Sequence, residues 1–446
     1  MPALPPPIWN APAFMLPMLD AQRTNVLCQI GDSQSTDAGS NGNGPYGMHR
    51  TWKPVAVHGR GVHVHSGPPA WAGTITIDTG SGAATAPNPG AVTGAGGAGV
   101  NPIIAFKKAY SSNRPWFAPA DWKCVLADIT NYAKNDAGGT HPFSGVHVMA
   151  RVIFLATAAS LPNARFWGLR DASTQGSATV VNMTTSPNTI RWVDVPCGNG
   201  TGVPGVQFMV DPANSPSDYD ETGKEIIILG VLFRTHDGSM NPLPGTAWCD
   251  CAQGSDNIDN MRARLGGTGS PTVSSAYARK WFEGMAINML SVRAGQNGVG
   301  AHSTELDAGG YQLFKAGLRD LVQLGIDHVR SYTSLTPPVL LRNPFQGGNS
   351  GAAGYTATHR AARAWAYYEV AQEFGATFVD EDQLCANGPA NQQKWFLFDG
   401  AHASGSLNSP IGGGAEYIEG NVWNGMLGAT LGMQQAGGPK WRYPAG

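Results

Sequence analysis

The chain has 446 residues, more than one ordinary hydrophobic core accommodates, so two domains are the starting expectation. Hydrophobic residues make up 42%, enough for a packed globular protein, but charged residues make up only 13%, about half the usual share. With 29 basic against 31 acidic residues and no Lys/Arg cluster, no nucleic-acid partner is expected, and a polar, weakly charged surface suits a neutral substrate such as a sugar.

Residues 1–19 are apolar but carry no basic n-region, and prolines at 2, 5, 6, 7, 12 and 17 interrupt them. Neither a signal peptide nor a membrane span is expected there, and export by another route or within a virion stays open. The apolar run 25–30 ends abruptly at Gly31-Asp32-Ser33, the pattern of a buried strand feeding a polar turn. From about Val55 to Phe233 the texture changes to short alternating segments at 146–150, 178–181, 189–193, 206–210 and 224–233. Turn residues separate them, which predicts an antiparallel β-sandwich or jelly roll. Residues 80–99, rich in Gly, Ala and Pro, read as a long loop. Within this part, Phe166, Trp167 and Trp192 are expected in the core, with stacking on sugar rings as the alternative. His58, His63 and His65 lie close together, but no Cys, Asp or Glu sits nearby to complete a metal site.

After about Gly238 the period lengthens. Ile258, Met261 and Leu265 follow helical spacing, as do Phe314, Leu318, Leu321 and Val322, with Gly325 placed as a C-terminal cap. Ala362, Ala366, Val370 and Phe374 repeat the pattern, closed by Gly375. Residues 326–332 and 377–379 are the strands expected after these last two helices, and 286–292 is an apolar run leading to Gly295. Alternating strands and helices imply a parallel sheet covered by helices. The economical organisation is an α/β core formed by 1–54 and 238–446, interrupted by a β-rich insertion over 55–237. The ends of that insertion are expected to lie close together. The six cysteines are scattered, and Cys249-Asp250-Cys251 is too tight for a Cys-x-x-Cys motif, so free, partly buried thiols are expected.

A serine directly after a buried strand can present its hydroxyl at the carboxyl edge of a parallel sheet, where ligands bind in open α/β folds. Ser33 meets that description, although the pentapeptide 31–35 alone equally fits a helix N-cap serine. Serine needs a base, and the base works best when a carboxylate orients it. Asp399 and His402, three residues apart in Phe398-Asp399-Gly400-Ala401-His402, supply that pair. By itself, Asp-x-x-His is a common pattern in loops.

Together, the Gly-Asp-Ser after the first strand and the Asp-x-x-His before a last helix resemble the first and last blocks of the SGNH/GDSL hydrolase family. Gly295-Gln296-Asn297 matches the family's third block. Gly254, in the segment 252–256 before Ile258, fits its second. The resemblance implies a three-layer α/β sheet fold and a serine esterase. Ser33, Asp399 and His402 would be catalytic, and the oxyanion hole would be made by Ser33, Gly254 and Asn297. It implies no cofactor and no metal. Gln34, Gly298 and Ala403 depart from the residues that often flank these blocks and mark a divergent branch. A β-sandwich beside such a core often serves sugar recognition, so removal of O-acetyl groups from a glycan is the expected activity. The alternatives are a lipase or thioesterase of the same family, or a non-catalytic glycan-binding surface or virion protein. The expected partner is an acetylated glycan or other small ester.

Overall fold

A computed structural model describes residues 4–20, 22–32, 35, 84–111, 122–125, 144–171, 173–202, 204–208, 222–295, 309–344, 357–384 and 414–432. Its centre is a six-stranded sheet. Strands β2 (Thr24–Gly31), β12 (Gly245–Ala252), β13 (Met289–Arg293), β14 (Val339–Asn343) and β15 (Thr377–Asp380) run parallel, and the two-residue β1 (Ile8–Trp9) adds an antiparallel edge. The spatial order is β1-β15-β14-β13-β2-β12.

Alternation along each strand makes this sheet the middle of three layers. Val26, Cys28 and Ile30 of β2 join one buried cluster, with Leu290 and Val292 of β13, Val339 and Leu341 of β14 and Phe378 of β15. The residues between them, Leu27, Met289, Leu340 and Val379, join a second. The first cluster takes in the helices Ile258–Arg264, Ser275–Gly284, Gly309–Thr333 and Ala357–Phe374. The second takes in Ala11–Leu19 and Gly414–Thr430, which meet through Phe14 and Trp423. Strands buried on both faces are mostly apolar, and β2 and β13 are of that kind, with Asn25, Gln29 and Ser291 as buried polar exceptions.

One expected boundary is corrected. Residues 326–332 are not a strand: they continue a 25-residue helix, Gly309–Thr333, and the strand follows at β14. Gly325 does not cap that helix. It lies where the helix crosses β13, and a methyl group there would come within 2.9 Å of Leu290 Cδ1. Gly375, with φ +62°, closes the helix Ala357–Phe374 as expected.

The material between β2 and β12 is antiparallel. One sheet has the order β3 (Ala84–Thr85), β4 (Phe106–Ala109), β11 (Glu225–Thr235), β6 (Val148–Ala156), β9 (Thr189–Pro196). The other has β5 (Trp122–Val125), β10 (Pro204–Phe208), β7 (Ala164–Arg170), β8 (Ser173–Val181). Over β4–β11 the first strand pairs with the last and the second with the second-last. Phe166 and Trp167 are buried, Phe166 beside Phe208, and Trp192 is half-buried against Arg151. Cys28, Cys124, Cys197, Cys249 and Cys251 are buried and unbridged, and Cys385 lies outside the described residues.

Val55, the expected start of the insertion, lies outside the described residues, but the strands on either side of this material are placed. β2 and β12 are parallel neighbours in register from Thr24↔Gly245 to Gly31↔Ala252. The chain therefore leaves at one edge of the sheet and returns at the other, roughly 23 Å away at about 3.3 Å per residue. The segment does what a crossover helix does between parallel strands. It also shares the core. Trp281 Nε1 donates to the carbonyl of Leu229 at 2.9 Å, and Gly284 packs against Ile153 and Trp192.

Candidate active site

Three strand ends meet in one row. Ala252, Gly31 and Arg293 are register partners on the adjacent strands β12, β2 and β13. Each strand then gives way to a polar, glycine-containing segment at the carboxyl edge of the sheet.

After β2, the N–H of Ser35 donates to the carbonyl of Asp32 at 2.9 Å, folding the chain back on the strand. Asp32 and Ser35 are buried. A side chain at Gly31 would run into Ser35 and into the carbonyl of Arg293, 2.9 Å from the position of its Cβ. Only glycine allows this close approach. Ser33 lies outside the described residues.

After β12, the N–H of Gln253 donates to the carbonyl of Gly31, and the N–H of Asp256 to the carbonyl of Gln253. Gly254 sits exposed at the tip of this turn, and its N–H has no partner among the described residues. The turn is held from below. Arg264, buried, donates from Nε to Asp256 Oδ2 at 2.6 Å, from Nη2 to the carbonyl of Cys251 at 3.1 Å and from Nη1 to the carbonyl of Pro102 at 2.8 Å. Asn257 caps the helix Ile258–Arg264 through its side-chain oxygen.

After β13, Gly295 adopts φ +101° between Phe314 and Arg363, a conformation and a space that exclude other residues. Asn297 lies outside the described residues, as do Asp399 and His402; the helix Gly414–Thr430 follows them in the chain.

Beneath this edge lies a buried charge network that no sequence motif announces. Glu381 accepts from Arg293 Nη2 at 2.6 Å and from Arg342 Nε at 2.7 Å, and all three side chains are almost wholly excluded from water. Asn343 Nδ2 donates to Asp380 Oδ1 at 3.0 Å. Burial pushes the Asp380 carboxyl above its ordinary value, against the hydrogen bonds from Gln383 and Asn343. Such pairs contribute little net stability, but removing one partner strands a buried charge at a cost of about 3–5 kcal/mol. The network thus ties the ends of β13, β14 and β15 together. The signal in the sequence is one arginine at the end of each of two apolar runs, Arg293 as the last residue of β13 and Arg342 as the last but one of β14.

Among the described residues no group of His, Cys, Asp and Glu could hold a metal ion; His58, His63 and His65 lie outside them. No helix among the described residues is long and apolar enough to cross a membrane.

No family model and no curated protein matches the chain. Solved structures do. A peptidoglycan O-acetylesterase superposes over 95% of this chain and 96% of its own, with TM-score 0.53 and 10% identity. A GDSL-like lipase from Bacteroides thetaiotaomicron covers 41% of this chain and 76% of its own, with TM-score 0.29 and 12% identity. The fold is SGNH/GDSL hydrolase-like. A carbohydrate acetylesterase from Sinorhizobium meliloti overlaps 41% of this chain and 79% of its own, with TM-score 0.28 and 10% identity. The SGNH-like core here carries additional antiparallel sheets. Its three polar segments leave the sheet at the carboxyl edge, where open α/β sheets bind their ligands.

Proposed function

We propose that the protein is a serine carboxylic-ester hydrolase that removes O-acetyl groups from a polysaccharide or oligosaccharide. One observation carries this reading: Ala252, Gly31 and Arg293 share a row, so the segments bearing Gly254, Ser33 and Asn297 start side by side. Three motifs far apart in sequence thereby gain a common origin.

In this reading His402 takes the proton of Ser33 Oγ as that oxygen attacks the ester carbonyl, and Asp399 orients the imidazole and stabilises its cation. The N–H groups of Ser33 and Gly254 and the Asn297 amide hold the oxyanion. The sugar hydroxyl leaves with the proton from His402, and the acetyl group stays on Ser33. Water, deprotonated by His402, then releases acetate. The exposed N–H of Gly254, without a partner among the described residues, supports its part in the hole. No cofactor or metal takes part.

The acetylated-glycan substrate is supported by the full-length likeness to a peptidoglycan O-acetylesterase, which spans the β-rich segment as well as the core. The β-rich segment, over 55–237, is read as a jelly-roll-like module flanking the site; its support is the pairing of first strand with last and second with second-last over β4–β11. The test is acetate release from acetylated glycans and from p-nitrophenyl acetate. The reading requires Ser33→Ala to abolish both while thermal unfolding stays cooperative. Undiminished hydrolysis by that variant would overturn it.

A further inference from the structure

At Ala294 the strand β13 passes from main-chain to side-chain hydrogen bonding. By the register Val292↔Leu341, Ala294 and Gly295 would face Asn343 and Pro344, and a proline has no N–H to continue the ladder. Two side chains of the helix Ala357–Phe374 take over. The N–H of Ala294 donates to Tyr367 Oη at 2.7 Å, and that hydroxyl donates to the carbonyl of Ala294 at 2.7 Å. Arg363 Nη1 donates to the carbonyl of Gly295 at 3.1 Å. Its other arms reach Asn343 Oδ1 and the carbonyl of Pro344, each at 2.6 Å.

Four residues apart, Arg363 and Tyr367 lie on one face of the helix. Both are buried, and burial pushes the Tyr367 phenol well above its ordinary value, so the hydroxyl stays both donor and acceptor. The guanidinium is a rigid planar fork and meets three acceptors from three directions, which a lysine cannot do. Gly295, at φ +101° with Arg363 Cδ 3.3 Å from the position of its Cβ, is thus gripped on both sides.

We infer that Arg363 and Tyr367 are positioning residues for the esterase reaction: they fix the backbone at Ala294 and Gly295, two residues before the oxyanion donor Asn297. This rests on the reading of Asn297 given above. An oxyanion donor acts only if it is aimed at the developing charge within a few tenths of an ångström, and a displacement of about 1 Å costs on the order of 10²-fold in rate. Strand pairing supplies that accuracy up to Arg293, and the helix supplies it at Ala294 and Gly295.

A double-mutant cycle on the full chain with p-nitrophenyl acetate tests this. Tyr367→Phe keeps the ring and removes both hydrogen bonds; Arg363→Lys keeps the charge and loses the fork. Each variant is first shown to unfold cooperatively, and the second serves if the first does not fold. The expected result is a kcat lowered about tenfold with KM within about twofold. In an Asn297→Ala background the same substitution should change kcat less than about twofold, because the group it aims is gone. If Asn297→Ala lowers kcat but the clamp substitution has no effect, or the same effect in both backgrounds, the clamp inference is overturned and the oxyanion reading stands. If Asn297→Ala leaves kcat unchanged, both are overturned.

Discussion

Single residues carry consequences that no motif shows. His328, on the helix Gly309–Thr333, is fully buried, stacks edge-on against Phe282 and donates from Nε2 to the carbonyl of Leu265 at 2.7 Å. Its Nδ1 has no partner among the described residues. Burial lowers its pKa to about 4, with Arg279 adding to the effect and the Leu265 carbonyl and Asp327 opposing it. The unfolded chain holds the proton below its ordinary value of about 6.5, while the folded chain refuses it down to about 4. Stability from this site is therefore complete above about pH 6.5 and falls as the pH drops toward 4, by about 3 kcal/mol. Urea unfolding at pH 7.5 and pH 4.5 should show that loss, and His328→Gln, which keeps a donor for Leu265, should show a smaller one. Equal losses in the two proteins would reject the assignment. The catalytic candidates come from the sequence alone, where residue types stand in fixed company (Gly-Asp-Ser, Gly-x-Asn, Asp-x-x-His), and Ser33, Asn297, Asp399 and His402 lie outside the described residues. Glu381, Arg342 and Arg363 were not legible, because their meaning lies in contacts between residues up to 88 positions apart.

Elements with one clean period were read well. The run ending at Gly31, the alternating strands at β6, β8, β9, β10 and β11, and the helix closed by Gly375 all stand where periodicity put them. The error at 326–332 has a physical source. A glycine after an apolar stripe has two readings, a helix end or a close crossing, and Gly325 is the second. Gly325→Ala puts these two effects in opposition. Alanine gains about 1 kcal/mol in helix propensity, but its methyl lies 2.9 Å from Leu290 Cδ1, and overpacking typically costs about 1–3 kcal/mol. The variant should unfold at a lower temperature than the wild type. A higher Tm would mean that the crossing has slack and that glycine is there for another reason. Strand β12 and the helix Ser275–Gly284 escaped notice because neither is marked by a long apolar repeat; both draw their place from the neighbours they bury against.

At the scale of the whole molecule, the β-rich segment behaves as a crossover and a packing partner together. It leaves from the carboxyl end of β2 and returns at the amino end of β12, and its strands cover Trp281 and Gly284. Replacing 55–237 with a short Gly/Ser linker should therefore abolish cooperative unfolding: fully buried Trp281 and Met285, which lie against Leu229 and Gly230 of β11, would face water. A cooperative transition in the deleted chain, followed by differential scanning calorimetry, would show instead that the α/β core is self-sufficient. Sequence periodicity could announce the inserted strands but not the route of the chain, because route depends on which edge of the sheet each connection uses.

The central claim is that Ser33 is the nucleophile of an ester hydrolase, and active-site labelling tests it most directly. Ser35, two residues away, is buried and packed against Gly31, so it is no competitor for a bulky reagent. A fluorophosphonate incubated with the intact protein, followed by proteolysis and fragment mass determination, should place one adduct on Ser33 in step with loss of p-nitrophenyl acetate hydrolysis. An adduct on another serine, or full inactivation with Ser33 unmodified, would contradict the account.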